Sequence, residues 1–247
     1  MDTPTEYSAQ ASLVMIGGYF RQLGVWTVIA DQVHIQQKTV QHTPLDKLLD
    51  AFIGILAGGH GLVETNNRVR PDRAVQQGFG RSGCAEQSTI SRTLNACTPT
   101  NVDQLRQCVQ QILQQHSRAC QHAYSRAYQL LDVDMTGLVA GAQASGATPG
   151  YFAHARHRRG RQLGRLLASQ YDEVLVERLY EGKRQLEHSF QPLVAAAEAV
   201  LDLNEKRRKR TLLRADGGAG DDATRSVNWA LARGYCLLTK VHNWLRA

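Results

Sequence analysis

The spacing of apolar residues changes at Tyr128, and this change constrains the fold more than any other feature of the chain. Before it, apolar residues recur at helical spacing, as in residues 44–56. After it, residues 130–139 form a short apolar run with β-branched members, interrupted by Asp132 and Asp134. The first pattern is typical of amphipathic helices and the second of a mostly buried strand. We therefore predict a helical region over residues 1–127 and a sheet-containing region over residues 128–247.

Two helices are indicated clearly in the first region. Thr43 and Pro44 have the side chains preferred at an N-cap and at a first helical position, and Gly58 stops the apolar pattern that follows. A long amphipathic helix with a glutamine-rich outer face is predicted over residues 101–127.

Between these helices, the sequence has the outline of a helix-turn-helix. Residues 70–73 open a short helix, glycines follow over residues 78–83, and residues 86–94 form a second, polar helix. In DNA-binding proteins the second helix of such a pair reads a groove. Helical hairpins with no DNA partner look the same, so both interpretations stay open. The DNA contacts predicted here are Gln87, Ser88, Thr89 and Arg92.

The second region predicts an α+β domain. A flexible loop is expected over residues 140–150, and the later elements are expected to give the order β-β-β-α-β-α-β. The strands after the first are predicted at residues 162–171, 173–180, 210–215 and 235–241, and the helices at 189–203 and 222–233.

Positive charge is concentrated in one part of this region. The net charge is +7, and residues 151–214 contain 14 basic and 8 acidic side chains. Such a concentration is typical of a surface that binds a polyanion, although a solvated face gives the same count. The predicted DNA contacts are Arg156, Arg158, Arg159, Arg161, Arg165, Lys206, Arg207, Arg208, Lys209 and Arg210.

Composition excludes several other classes of protein. Apolar residues make up 43% and charged residues 21% of 247 residues, as in globular proteins. No apolar stretch is long enough to span a membrane, and the first residues lack the basic start of a signal peptide. The five cysteines have no metal-site or disulfide spacing. We expect a cytoplasmic protein with no membrane partner.

Three aspartates are the candidate chemical groups. Asp132 and Asp134 project to one face of the first strand, and Asp216 follows the fourth predicted strand. Carboxylates in such places are costly unless they bind a cation or a donor, and magnesium prefers such ligands beside phosphate oxygens. The sequence therefore predicts a metal-assisted phosphoryl site. In the alternative interpretation, these aspartates cap strands or pair with arginines such as Arg214.

The motifs Leu131-Asp132-Val133-Asp134-Met135-Thr136 and, about eighty residues later, Leu213-Arg214-Ala215-Asp216-Gly217-Gly218 resemble those of the DDE transposases of bacterial insertion sequences. The resemblance extends from about Thr43 to Val241. It implies an RNase H-like catalytic domain that uses Mg²⁺ or Mn²⁺. It also implies that the protein associates with the nucleoid of a bacterial cell. It further implies transposon-end and target DNA as partners, and a homo-oligomer on that DNA. Asp134, in Asp-x-Thr, matches the first catalytic aspartate, with Asp132 as the less favoured alternative, and Asp216 matches the second.

The sequence departs from the family pattern after Asp216. The family requires a glutamate on a later helix, and no glutamate follows Glu205. The resemblance therefore predicts a truncated transposase with an incomplete RNase H-like domain, inactive alone. Two alternatives stay open, which are a non-catalytic DNA-binding protein and a small metal-dependent nuclease that uses Asp132, Asp134 and Asp216.

Overall fold

The computed structural model describes residues 7–39, 41–141, 143–152, 155–215 and 223–239. Helices come first along the chain, and a mixed sheet follows. The helices are α1 (Ala11–Gln22), α2 (Val25–Gln32), α3 (Pro44–Leu56), α4 (Val63–Arg68), α5 (Arg73–Gly78), α6 (Gln87–Ala96), α7 (Pro99–His116), α8 (Leu186–Leu201), α9 (Glu205–Arg208) and α10 (Ala223–Ala232). The strands are β1 (Gln129–Val139), β2 (Thr148–Phe152), β3 (Ala155–Ala168), β4 (Glu173–Glu181), β5 (Thr211–Ala215) and β6 (Cys236–Thr239).

The chain divides into two compact units, Met1–Ile112 and Leu113–Ala247. Within the second unit, Leu113, Cys120 and Tyr124 pack against the core that supports the sheet. These residues precede β1 and belong to the segment that the sequence assigns to the helical region. Their apolar side chains contact the sheet core, so the second unit begins before the change in spacing at Tyr128.

Helix α3 begins at its predicted residue. The Thr43 hydroxyl accepts a hydrogen bond from the Asp46 N–H at 3.0 Å, and the Asp46 carboxylate accepts one from the Thr43 N–H at 2.9 Å. This reciprocal capping box satisfies two N–H groups that a helix end leaves unpaired. Helix α3 then buries Leu49 and Ile53 in the core of the first unit.

Helix α7 is shorter than the prediction of residues 101–127, because it ends at His116. The next turn is held by a side chain from β4. The Glu173 carboxylate accepts hydrogen bonds from the N–H groups of Arg118 (2.9 Å) and Ala119 (3.0 Å) and from the Ser117 hydroxyl. These bonds give the backbone a partner other than a continued helix.

Strand β1 has neighbours on both sides in the six-stranded sheet. It pairs antiparallel with β3, which also pairs antiparallel with β2 and β4. On its other side β1 pairs parallel with β5, and β5 pairs parallel with β6. The domain is therefore of the α+β class with a mixed sheet, and its elements follow the predicted order when β2 and the short α9 are set aside.

Strand β2 corrects the sequence prediction, which has a flexible loop over residues 140–150. Thr148–Phe152 pairs with the first part of β3, and β3 begins at Ala155 rather than at residue 162. Arg158, Arg159 and Arg161 therefore lie within a strand, not before it. Backbone hydrogen bonds to β2 stabilise this hairpin, and the side chains carry no apolar alternation that could predict it.

The core of the second unit lies between the sheet and α8. Phe190 and Leu193 of α8 are fully buried with Leu131 of β1 and Leu166 of β3. In the described part of the chain, no single helix has the length and apolar character of a membrane span. Helices α1 and α2, which meet at 61°, satisfy those criteria only when they are taken together.

Candidate metal and nucleic-acid site

Strand β1 presents two carboxylates on the face opposite its buried side chains. Leu131 and Val133 are buried, whereas Asp132 is partly exposed and Asp134 is exposed. This alternation is the two-residue period of a strand with one face on the core. The folding of β1 against α8 thus fixes both aspartates on the opposite face.

Asp132 is held by Arg214 of β5. The two residues are register partners in the parallel pair, and the Arg214 guanidinium donates from Nε to Oδ1 at 2.5 Å and from Nη2 to Oδ2 at 2.6 Å. Hydrogen bonding to Asp132 and its negative charge raise the pKa of Arg214. Such a bidentate pair uses both carboxylate oxygens. For Asp132, the alternative interpretation of pairing with Arg214 is therefore confirmed.

Asp134 has different surroundings from Asp132. Its Oδ1 accepts a hydrogen bond from the Met135 N–H at 2.7 Å. Its register partner on β3, Arg165, instead pairs with Glu177 at 2.6 Å. No ion pair joins Asp134 to another described residue, so no cation among those residues balances its charge.

These groups line a cleft of about 440 Å³ at the carboxyl ends of β5 and β6, beside the middle of β1, where its parallel pairing with β5 ends. Its described lining is Asp132, Val133, Asp134, Arg214, Ala215, Leu238 and Thr239. In open α/β sheets, ligands bind beyond the carboxyl ends of parallel strands. The Thr239 hydroxyl oxygen is buried and has no hydrogen-bond partner among the described residues. It is a polar group that the sequence analysis did not single out, because one threonine ending an apolar strand carries no signal.

Asp216, the second predicted catalytic residue, lies outside the described residues. The described register ends with Val133 paired to Ala215, and Asp134 and Asp216 each follow this pair by one position in sequence. Among residues with described positions, no three His, Cys, Asp or Glu side chains form a metal-binding group. Asp134 fits a hard divalent cation, since it is an exposed carboxylate with no ion partner in the described ranges, whereas both Asp132 oxygens accept hydrogen bonds from Arg214.

Most side chains of the basic segment 206–210 have partners within the protein. Arg207 donates to the Asp202 carbonyl at 2.9 Å, and Arg208 to the Arg233 carbonyl at 2.9 Å. Lys209 pairs with Glu205 at 2.6 Å, and Arg210 donates to the Tyr124 carbonyl at 3.0 Å. Lys206 is exposed. The Arg208 and Arg210 contacts tie α9 and the start of β5 to distant parts of the second unit, which gives these two charges a structural role.

The other basic segment lies on β3. Arg158 and Arg159 are exposed, and Arg159 donates to the Ala147 carbonyl at 2.8 Å. Arg161 is half-buried beside Gly146, and its Nε has no partner in the described structure. Arg165 is paired with Glu177, and the side chain of Arg156 is not among the described ones.

In the first unit, helix α6 carries the predicted DNA-reading side chains. Its Ile90 is fully buried, and Gln87, Ser88 and Thr89 are half-buried. The Ser88 hydroxyl donates to the Glu86 carboxylate and the Thr89 hydroxyl to the Glu86 carbonyl. Arg92 is exposed. The hydroxyl groups at the start of α6 thus already have local partners.

No protein-family model and no curated protein matches the chain. Solved structures that do match include a pre-cleavage Mos1 transpososome, at 13% identity and a TM-score of 0.30, over 85% of this chain and 63% of that chain. A Mos1 transposase paired-end complex with the left transposon end matches at 9% identity and a TM-score of 0.30, over 85% and 62%. A Mos1 mariner paired-end complex with Mn matches at 14% identity and a TM-score of 0.30, over 96% and 78%. This chain spans less than two thirds of the length of the matched chain in the first two of these structures. At a TM-score of 0.30, these matches do not establish a shared fold.

Proposed function

We propose that the second unit carries a divalent-metal site for phosphodiester cleavage and strand transfer on DNA, as in a transposase. Asp134 and Asp216 are the proposed ligands of Mg²⁺ or Mn²⁺. The observation that carries the proposal is the Asp134 carboxylate, which is exposed at the cleft and has no ion partner among the described residues. The neighbouring carboxylate on the same strand, Asp132, is paired with Arg214, so Asp134 is the described carboxylate of this cleft that has no ion partner among the described residues.

The chain's own residues would orient the site as follows. The bidentate Asp132–Arg214 pair joins β1 to β5, and each of its members lies two positions before a proposed ligand in sequence. It therefore fixes the end of β5 against the middle of β1 and keeps Asp132 away from the metal. A bound divalent ion supplies Lewis acidity and a water of lowered pKa for attack on a phosphodiester.

The wider architecture is part of the same proposal. The element order and the adjacent parallel strands β1 and β5 support an RNase H-like sheet, because the resemblance expects carboxylates on the first strand and after the strand that β5 matches. Residues 217–247 contain no glutamate. With two aspartates as the ligands, we expect weak metal binding, because a complete site would add a third carboxylate.

DNA is the proposed partner, in a homo-oligomer on transposon ends. Arg158 and Arg159 of β3 are exposed cations that suit phosphate contacts, which are salt-dependent and carry no sequence information. Within segment 206–210, Lys206 is the residue best placed to contact a DNA phosphate, because the other four side chains have partners within the protein.

A non-catalytic DNA-binding protein is the second candidate. It is favoured by exposed cations such as Arg158 and Lys206, which suit phosphate contacts without a metal. In this case the DNA affinity comes from arginine and lysine side chains alone and needs no metal.

The effect of Mn²⁺ on DNA affinity separates the two candidates. Anisotropy of a fluorescent duplex is measured in Mn²⁺ and in EDTA for the wild type, Asp134→Asn and the control Asp31→Asn, an exposed aspartate of α2. The metal-site proposal predicts tighter binding in Mn²⁺ for the wild type and the control, and no metal effect for Asp134→Asn. Equal affinities in all six measurements would favour the non-catalytic candidate.

A further inference from the structure

The first unit contains a second, more polar cleft of about 370 Å³. It lies beside the start of α3 and α6, and four cationic side chains line it together with one carboxylate. The charged members are Lys38, Lys47, Arg70, Arg92 and Glu86. An excess of positive charge in a concave site is expected to attract an anion.

Lys47 is the feature that distinguishes this cleft from a solvated basic face. Only 8% of its surface is exposed, and its Nζ donates to a neutral acceptor, Gln37 Oε1, at 3.3 Å. The carboxylates nearest in sequence pair with Arg81, with Asp46 at 2.6 Å and Asp50 at 2.9 Å, and neither forms an ion pair with Lys47. A buried ammonium group is costly without a compensating negative charge.

The other cations at this cleft are available to a ligand. Lys38, Arg70 and Arg92 are exposed, and none of them forms an ion pair with a described residue. The Glu86 carboxylate accepts a hydrogen bond from Ser88. Burial and the nearby Asp50 charge raise the pKa of the Cys84 thiol to about 12, so Cys84 adds no negative charge at neutral pH.

We infer that this cleft binds a phosphate group through Lys47, Arg70 and Arg92. Phosphate oxygens accept several charge-assisted hydrogen bonds, which suits converging ammonium and guanidinium groups. The phosphate comes either from a DNA backbone or from a small free phosphate compound. In the first case, Arg92 and Thr89 of α6 position DNA by its backbone rather than read its bases, which changes the role predicted for this helix. The inference does not depend on the metal site of the second unit.

The test compares three arginine variants of the full chain in EDTA. Arg70→Gln and Arg92→Gln remove cleft charges, and Arg106→Gln removes an exposed charge of α7 in the same unit that pairs with Asp103. Affinity for a short fluorescent duplex is measured over a range of salt concentrations. We expect each cleft variant to bind about tenfold more weakly, with a salt slope smaller by about one, and Arg106→Gln to match the wild type.

A second measurement identifies the source of the phosphate. Inorganic phosphate is titrated calorimetrically, at constant ionic strength, into the wild type and Lys47→Met, whose fold is checked by circular dichroism. Binding heat that Lys47→Met loses, with unchanged duplex affinity in the arginine variants, assigns a free phosphate compound. Weakened duplex binding in the cleft variants assigns DNA. No phosphate heat together with equal duplex affinity in all three arginine variants would overturn the inference. The duplex measurements are made in EDTA, without free divalent metal. Their results therefore do not depend on whether the metal-site proposal is correct.

Discussion

At the scale of single residues, Asp132 and Asp134 differ in what balances their charge. The Arg214 guanidinium satisfies both oxygens of Asp132, whereas Asp134 accepts a hydrogen bond from the adjacent Met135 N–H. A paired carboxylate contributes to stability, and an unpaired exposed one is free to bind a cation. Asp132 therefore has a structural role, and Asp134 has the proposed metal-binding role.

Asp132→Asn tests this separation. The substitution keeps the volume of the side chain and removes the charge that Arg214 binds. We expect the free energy of unfolding to fall by about 1–2 kcal/mol in urea denaturation, because a partly exposed charged hydrogen-bond pair is weakened. Mn²⁺ affinity should fall much less than in Asp134→Asn, because Asp132 positions the strands and does not bind the metal. A lost Mn²⁺ affinity at unchanged stability would make Asp132 a ligand and contradict the proposal.

The sequence predicts the shared face of these aspartates and offers Arg214 as an alternative partner, but it does not show which of the two aspartates Arg214 binds. Alternation along β1 is local, so Leu131 and Val133 reveal which face is buried. The partner of Asp132 lies 82 positions away and is set by the register of β1 and β5. No local pattern contains that register.

At the scale of elements, the turn after α7 depends on β4. Glu173 accepts three hydrogen bonds from Ser117, Arg118 and Ala119. The glutamine-rich sequence of this segment favours a helix, and the contact that ends it comes from 54 to 56 positions away. The predicted length of α7 was therefore wrong, whereas α3, which is capped by its own neighbours, begins where the sequence places it.

The pH dependence of stability tests the role of Glu173. Burial disfavours its charged form, but the hydrogen bonds from Ser117, Ala119 and Arg118 outweigh burial and lower its pKa. A lowered pKa in the folded state stabilises the protein above the ordinary pKa of glutamate, and this contribution is lost as the pH falls through the folded value. We expect the free energy of unfolding to fall more steeply between about pH 5 and about pH 3 in the wild type than in Glu173→Gln. Equal slopes for the two proteins would show that Glu173 does not carry this dependence.

At the scale of the whole molecule, the distribution of charge along the sequence indicates a binding surface only once the contacts of each charged side chain are known. Residues 151–214 contain most of the excess positive charge, yet Arg207, Arg208, Lys209 and Arg210 are used within the protein. The class of fold, the start of β1 and the order of the main elements of the sheet domain could be predicted, because they depend on apolar spacing. Strand β2 and the basic cleft of the first unit could not, since hairpin pairing and converging lysine and arginine side chains depend on tertiary contacts.

The central claim is that Asp134 and Asp216 hold a divalent metal, and titration calorimetry with Mn²⁺ tests it most directly. The full chain is compared with Asp134→Asn, Asp216→Asn and the exposed control Asp31→Asn. We predict weak binding in the wild type and in Asp31→Asn, and a loss of affinity of about tenfold or more in each of the other two variants. Wild-type affinity for Mn²⁺ in Asp134→Asn would contradict the account.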